Sequence, residues 1–487
     1  MEINDLTPAE ERVWHAFPAG QTVDFRETAD EDTAQGDAWG PERTVRAAVL
    51  RALLLNGRQE EGEIPALKLS GARITGVLDF RYGTTEHAVR LSHCHFDDVP
   101  LLYGSRLRQL NLSSSVLPGL TAATVRVDGV LRMTDCRFRG PVRLGGAQIS
   151  GAVFMDRAEL TAADASEPVL QFNQAVIGDD LWAPGLRARG EARLNGATVA
   201  GSINFEETEF DNPGGIALSA ESIEVSADIR ANRLRARGRV DLRGARVTSR
   251  LDLSRSQLSN PGGYALRASS CSLGELWLHR CAPIEGVLHL RRSRIEVLSF
   301  SPDVVPGEVL LNNLTYTVLQ PHEPAKRRLP MLERDGDGYV PYAYEQLTAA
   351  YRRAGDDHAA RKVQLAKQRR LRATFPWYGR VWSYLQDATV GYGFRPIRAA
   401  VWLLSLLAVG SVAYGLHHPR PLKASEAPHF NPVFYTLDLL LPVISFGQED
   451  AFAPDGWYQG LSYLLIITGW ILATTVVAGV SRTVSRQ

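Results

Sequence analysis

Apolar residues between positions 67 and 314 recur in steps of five or six: Met133, Phe138, Leu144, Ile149, Phe154 and Leu160, then Leu242, Val247, Leu253 and Leu258. An earlier run, Leu69, Ile74 and Phe80, keeps the same step. Neither the 3.6-residue period of a helix nor the two-residue alternation of a long strand fits this pattern. It suits very short strands separated by corners, each strand sending one residue inward. Coils of that kind, about 20–25 residues each, stack into a solenoid. A longer period lies over the first. Val142-Arg-Leu-Gly-Gly-Ala-Gln-Ile149 matches Ala192-Arg-Leu-Asn-Gly-Ala-Thr-Val199 and Val240-Asp-Leu-Arg-Gly-Ala-Arg-Val247, with a worn copy in Leu288-His-Leu-Arg-Arg-Ser-Arg-Ile295. Asn212-Pro-Gly-Gly215 recurs as Asn260-Pro-Gly-Gly263, so two coils make one sequence repeat. Both insertions read as turns bulging from one face. Gly146-Ala147, Gly196-Ala197 and Gly244-Ala245 suit tight corners, where Gly relieves backbone strain. The expected fold is mainly β, a right-handed parallel β-helix over residues 66–315.

A solenoid exposes strand edges and core at its ends unless they are covered. Residues 1–65 supply an N-terminal helical cap. Thr7-Pro8-Ala9-Glu10 is a capping box leading into Val13, Trp14 and Phe17, and 43–55 places Val45, Val49, Leu50, Leu53 and Leu54 at helical spacing. A linker, 316–341, precedes a basic helical region, 342–396, whose first part reads as a helical hairpin hinged at Gly355-Asp356-Asp357. Its Tyr344, Leu347, Tyr351, Ala359 and Val363 pattern resembles a single tetratricopeptide-like hairpin. The basic second helix reads either as a solvated face or as a surface drawn to an anionic lipid leaflet, with Trp377, Tyr378, Trp382 and Tyr384 at interfacial depth. The residues for the second reading are Arg369, Arg370, Arg372, Arg380, Arg395 and Arg398.

The tail changes the expectation again. Residues 399–416 and 460–480 contain no Lys, Arg, Asp or Glu. Each run approaches the ~20 residues a helix needs to cross a bilayer. Between them, 434–446 is apolar, too short to span, and contains Asp438 and Pro442. Residues 397–487 therefore read as two transmembrane helices with a short re-entrant segment at 432–448. The basic excess before the first run puts both termini in the cytoplasm, at a bacterial cytoplasmic membrane, with loop 417–459 outside or re-entrant. Met1–Arg26 has neither the basic nor the apolar region of a signal peptide, in keeping with that topology.

Overall charge adds little. There are 54 basic and 54 acidic residues, so composition gives no argument for a nucleic-acid partner. Cys94, Cys136, Cys271 and Cys281 lack C-x-x-C spacing and read as small core residues of a reducing compartment. His93-Cys94-His95 offers two imidazoles on one strand face, a weak metal site without further ligands. Glu333-Arg-Asp-Gly-Asp-Gly-Tyr339 opens like a calcium loop, but Pro341 at its ninth position and Tyr344 at its twelfth do not fit. No dinucleotide fingerprint, P-loop or hydrolase motif is present, so no cofactor or catalytic residue is assigned.

Three resemblances bear on function. The five-residue spacing resembles the pentapeptide-repeat β-helices in degenerate form. Gly391-Tyr-Gly-Phe-Arg-Pro-Ile-Arg398 and 430–450 resemble the entry and pore loop of two-span channel-like modules joined to such repeats. That resemblance implies candidate pore-loop residues Asp438, Pro442, Ser445, Phe446, Gly447, Glu449 and Asp450. Asp438 reads equally as a solvated residue of an outer loop. Thr389-Val-Gly-Tyr-Gly393 spells a potassium-channel filter but precedes the first apolar run, so it cannot be the filter of this hairpin. The whole chain also resembles proteins of high-GC bacteria labelled "membrane-associated oxidoreductase". The first functional expectation is a non-enzymatic, membrane-anchored β-helix scaffold whose partners are the lipid bilayer and a cytoplasmic protein. The second is an oligomeric pore-forming effector of stress or cell death, which would need a homo-oligomer. The third is the labelled oxidoreductase.

Overall fold

The computed structural model describes residues 5–28, 31–57, 59, 61–161, 167–389, 396–423, 428–441 and 444–484. The chain forms two compact units, Met1–Ala350 and Tyr351–Gln487.

The first unit is a β-solenoid of about eleven turns. Its strands, many of only two residues, pair in parallel from coil to coil in two sheets of 18 and 16 strands. The corners explain the sequence pattern. Ala147 N–H donates to Leu144 O at 3.1 Å, and Gly146 between them has φ +66°, the geometry of a type II turn. Gly196 and Gly244 occupy the same position with φ +64° and +72°. In other coils Thr124, Gln174, Ser222 and Arg292 take that left-handed conformation without being glycine. They are held by neighbouring coils: Thr124 N–H donates to Gly145 O and Gly146 N–H to Asn173 O. Stacking of turn on turn thus overrides a local preference of about 1–2 kcal/mol against left-handed backbone.

Leu144, Ile149, Leu160, Val247 and Leu253 point inward and are buried, as the spacing implies. Phe154 differs. Val153 takes the inward place, and Phe154 lies on the outer surface under the Arg132 guanidinium, 4.0 Å from its ring centre. One small inward slot per corner holds Cys94, Cys136 and Cys271 in some coils and Ser115, Ser256 or Ser293 in others. Cys136 Sγ bonds Leu112 O, Ser256 Oγ bonds Ala231 O and Ser293 Oγ bonds Ala268 O, so thiol and hydroxyl serve the same carbonyl.

The N-terminal segment contributes strands as well as helices. Helix α1 (Pro8–Ala16) carries the capping box: Thr7 Oγ1 accepts from Glu10 N–H and Glu10 from Thr7 N–H. Glu10 is fully buried and also accepts from the backbone N–H, Nε and Nη2 of Arg46 at 3.0, 2.7 and 2.7 Å. Helix α2 (Ala47–Asn56) buries Val49, Leu50, Leu53 and Leu54. Thr22–Asp24 and Thr44–Arg46 pair with Lys68–Ser70 and Arg73–Thr75, opening both sheets. At the far end lie α3 (Ala325–Glu333) and α4 (Pro341–Arg353). Asp335 accepts from the backbone N–H of Leu311 and of Asp337, tying the calcium-like loop to the last coil.

The second unit contains α5 (Asp357–Arg372), α6 (Trp377–Thr389), α7 (Pro396–Leu416), α8 (Pro432–Leu440) and α9 (Trp457–Val484). Helices α7, α8 and α9 pack around Tyr414, Tyr435, Leu439, Leu440 and Leu465. Two glycines set how closely they approach. A Cβ on Gly410 would lie 2.3 Å from Thr436 Cγ2, and one on Gly469 would lie 2.3 Å from Leu440 O.

Here the sequence expectation is corrected. Among the described residues no helix is long and apolar enough to cross a membrane. The two apolar runs fold as α7 and α9, but the two transmembrane helices are not supported. Nor is the localisation built on them, with cytoplasmic termini and loop 417–459 outside. Counting uncharged residues overstated the runs. Ser405, Ser411 and Tyr414 interrupt α7, and Gln459, Ser462 and Thr468 interrupt α9. Several of these positions serve packing between the helices, as where Tyr414 O–H donates to Tyr458 O at 3.0 Å.

Candidate docking face of the solenoid

Side chains on the outer face of the 16-stranded sheet repeat every second coil. Arg137-Phe-Arg139, Arg187-Ala-Arg189 and Arg235-Ala-Arg237 each put two arginines outward around one buried residue. The coils between present Glu159 and Thr161, Glu209 and Asp211, then Gln257 and Ser259. Register fixes this order. Glu159 pairs with Arg187, Arg187 with Glu209, Glu209 with Arg235 and Arg235 with Gln257. Neighbouring strands lie about 4.8 Å apart, so like rungs recur at about 9.6 Å.

The two columns of this face differ. In the first, Glu159 lies 3.2 Å from Arg187 and 3.9 Å from Arg137, which also reaches Asp32 at 2.9 Å, while Glu209 and Arg235 stand in register without an ion pair among the described residues. In the second, Arg139, Arg189 and Arg237 are exposed. Among the described residues they show no ion pair, although Asp211 stands in register between the last two. Three guanidinium groups are therefore displayed in a line at fixed spacing.

The line ends at a cavity of about 300 Å³ lined by Glu209, Arg235, Arg237, Gln257, Ser259 and Glu285. The Asn-Pro-Gly-Gly loops border this face. Asn212 Nδ2 donates to Ile216 O and Asn260 Nδ2 to Tyr264 O, both at 2.8 Å. Each loop sits on a glycine of the next coil: a Cβ on Gly238 would lie 2.3 Å from Asn212 O, and one on Gly286 2.6 Å from Asn260 O.

Beyond the loops runs a half-buried polar stripe. Asp241 is wholly buried between Arg239, 3.4 Å away, and Arg267, 3.3 Å away. His289 lies against Tyr264, ring centres 5.2 Å apart. Burial, and then the charges of Arg291, Arg267 and Arg292, bring its pKa down to about 4. This imidazole is neutral at physiological pH.

The residues singled out in the sequence fall elsewhere. Asp438 is buried and accepts backbone N–H bonds from Phe446, Gln448 and Glu449, so it holds the loop after α8 rather than facing solvent. Ser445, Phe446, Gly447, Glu449 and Asp450 are exposed in that loop. Burial, Asp450 and Asp438 raise the Glu449 pKa. Arg369 and Arg372 pair with Asp387 at 2.9 and 3.4 Å, and Arg372 covers the Tyr384 ring at 3.8 Å. Arg380 bonds the carbonyls of Phe375 and Ala373, and Arg398 that of Asp387. Arg370, on α5, is exposed. Pro442, Arg395 and residues 390–393 lie outside the described residues. His93 and His95 do not converge. His93 occupies a left-handed corner, and His95 Nδ1 bonds Thr33 O at 3.1 Å. Among the described residues no group of His, Cys, Asp and Glu could hold a metal ion. Burial pushes the Cys94 and Cys136 thiols up to about 12 and that of Cys271 to about 11, which keeps them protonated.

Sequence reasoning missed the Arg-x-Arg rungs, although their signal was present: they recur with the same two-coil period as the Leu-x-Gly-Ala repeat. No family model, no curated protein and no solved structure matches this chain.

Proposed function

We propose that this chain is a non-enzymatic scaffold on which a protein partner docks, and that its docking surface is the outer face of the 16-stranded sheet. The observation that carries this reading is the line of exposed Arg139, Arg189 and Arg237, which show no ion pair among the described residues, beside a column in which Arg137 and Arg187 are paired. Arg137 and Arg187 of the neighbouring column, by contrast, are neutralised within the surface. The groups that could carry chemistry are instead occupied in the frame: the thiols as core spacers, His95 and Asp438 as backbone acceptors or anchors.

Photo-crosslinking in cells tests this reading. A benzophenone amino acid at Thr161 or Gln257, both exposed on this face, is expected to trap one common protein. The same group at Thr198, exposed on the other sheet, is expected to trap none. Equal products from all three positions, or none from any, would remove the docking face. A flavin or nicotinamide spectrum from the purified chain would overturn the non-enzymatic assignment.

A further inference from the structure

Arg139, Arg189 and Arg237, without an ion pair among the described residues, have a spacing that selects the kind of segment that would lie on them. We infer that the second column binds an acidic protein segment in polyproline II conformation, running along the solenoid axis with a carboxylate at every third residue. This inference rests on the docking reading and specifies its partner.

The periods of the two partners match. Like rungs recur at two strand spacings, about 9.6 Å. A polyproline II helix rises about 3.1 Å per residue with three residues per turn, so its same-face side chains recur at about 9.3 Å. Over the three rungs the accumulated mismatch is about 0.6 Å, well within the reach of an Arg side chain. An extended β-strand presents same-face residues about 6.6 Å apart and falls out of step by the second rung. The solenoid supplies the other half of the match. Arg189 and Arg237 stand on strands in register with both neighbours, and Arg139 directly follows the strand Arg137–Phe138 with its N–H bonded to Leu117 O, so their Cα spacing does not adapt to a ligand. Guanidinium groups bind carboxylates through paired N–H donors, which favours point-by-point recognition over a diffuse field.

The intervening residues select against a continuous polyanion. Asp211 stands between Arg189 and Arg237, and Glu159 and Glu209 flank the line in the first column. A nucleic-acid backbone, with one charge for every 3.4 Å of each strand, would set phosphates against these carboxylates. A segment charged only at every third position leaves neutral or donor groups there. The cavity beside Arg235 and Arg237 offers room for a larger side chain at the end of the segment.

The test uses the full chain and three fluorescent probes: (Glu-Pro-Pro)6, a peptide of the same composition with its glutamates paired as (Glu-Glu-Pro-Pro-Pro-Pro)3, and a single-stranded DNA 18-mer. Fluorescence anisotropy is read at low salt. The first peptide is expected to bind several-fold more tightly than the second. Exposed ion pairs are individually weak, so R139A/R189A/R237A, which removes three of them, is expected to weaken it by about tenfold. The triple variant R90A/R126A/R294A removes three exposed arginines from the other sheet and is expected to change binding less than twofold. Circular dichroism of both variants checks that the solenoid is intact. Equal affinity for the two peptides, or equal loss in the two variants, overturns the inference. Tighter binding of the DNA assigns the face to nucleic acid and overturns it too. Crosslinks at Thr161 and Gln257 without peptide binding would leave the docking reading standing and remove only this partner.

Discussion

Replacing Gly238 by Ala tests whether the Asn-Pro-Gly-Gly loops really rest on the coil beneath them. Gly238 has φ +113°, a conformation side-chain-bearing residues rarely adopt. Its new Cβ would lie 2.3 Å from Asn212 O and 3.1 Å from Gly215 O. Backbone strain of this kind costs about 1–3 kcal/mol. Neither neighbour is a flexible side-chain end, and the loop is fastened by the Asn212–Ile216 bond. Overpacking therefore adds about 1–3 kcal/mol, for a total of about 2–6 kcal/mol. Gly214→Ala is the matched control. Its φ is +75°, and nothing lies within 4 Å of the added Cβ, so it carries only the left-handed penalty of about 1–2 kcal/mol. Long solenoids need not unfold in one step, so a local readout is better than a melting curve. Hydrogen exchange of the amides in Glu209–Ser219 and Arg235–Asp241 should speed up by at least about 30-fold in G238A, taking 1.4 kcal/mol as tenfold. Gly286→Ala should behave alike, since its Cβ would meet Asn260 O at 2.6 Å and Gly263 O at 2.8 Å. If G238A and G214A accelerate exchange equally, the loops do not rest on the strands and the border of the docking face is wrong.

His289 is neutral in the fold with its pKa near 4, against 6.5 for a free imidazole. Below pH 6.5 the unfolded chain takes a proton that the folded chain refuses, so stability falls as pH drops from about 6.5 to 4. The loss is about 3 kcal/mol at most, and His289→Gln should flatten the difference in urea midpoint between pH 7 and pH 4.5. Asp438→Asn replaces one of two carboxylate oxygens by a donor facing backbone N–H groups. This should cost about 1–3 kcal/mol and raise the rate of limited proteolysis within 444–450. Cys94, Cys136 and Cys271, buried and protonated, should react with a thiol reagent only as fast as the native chain opens. By contrast, Cys136→Ser should shift stability by less than about 1.5 kcal/mol, since Ser115 and Ser256 already fill that slot.

The solenoid was legible because each coil repeats one decision. An inward apolar residue, a corner and a small residue recur at a fixed step, and local chemistry agrees with the fold at Gly146, Gly196 and Gly244. Arg157, Arg233 and Arg255 sit in equivalent left-handed corners, where no local rule would place them. Hydrogen bonds from neighbouring coils decide there, and a single coil read alone does not reveal them. The N-terminal strands were missed for a similar reason. Thr22–Asp24 is three residues long and pairs across a separation far longer than one coil. In the tail, absence of charge was too coarse a measure: it did not separate a spanning helix from helices that bury Tyr414, Tyr435 and Asp438 among themselves. At the docking face a single Arg-x-Arg carries no signal of its own, and only register brings the three into line.

That alignment gives the solenoid a parity. One coil can be gained or lost without disturbing corners or core, since every coil offers its neighbours the same hydrogen-bonding edges. Inserting a single coil between Arg189 and Arg237, however, would move their rungs from two strand spacings apart to three. Inserting two would keep the beat and lengthen the line by one rung. A lineage that conserves this surface should therefore grow and shrink in steps of two coils, about the 48 residues that separate the two Asn-Pro-Gly-Gly loops. One that has abandoned it is free to change by one.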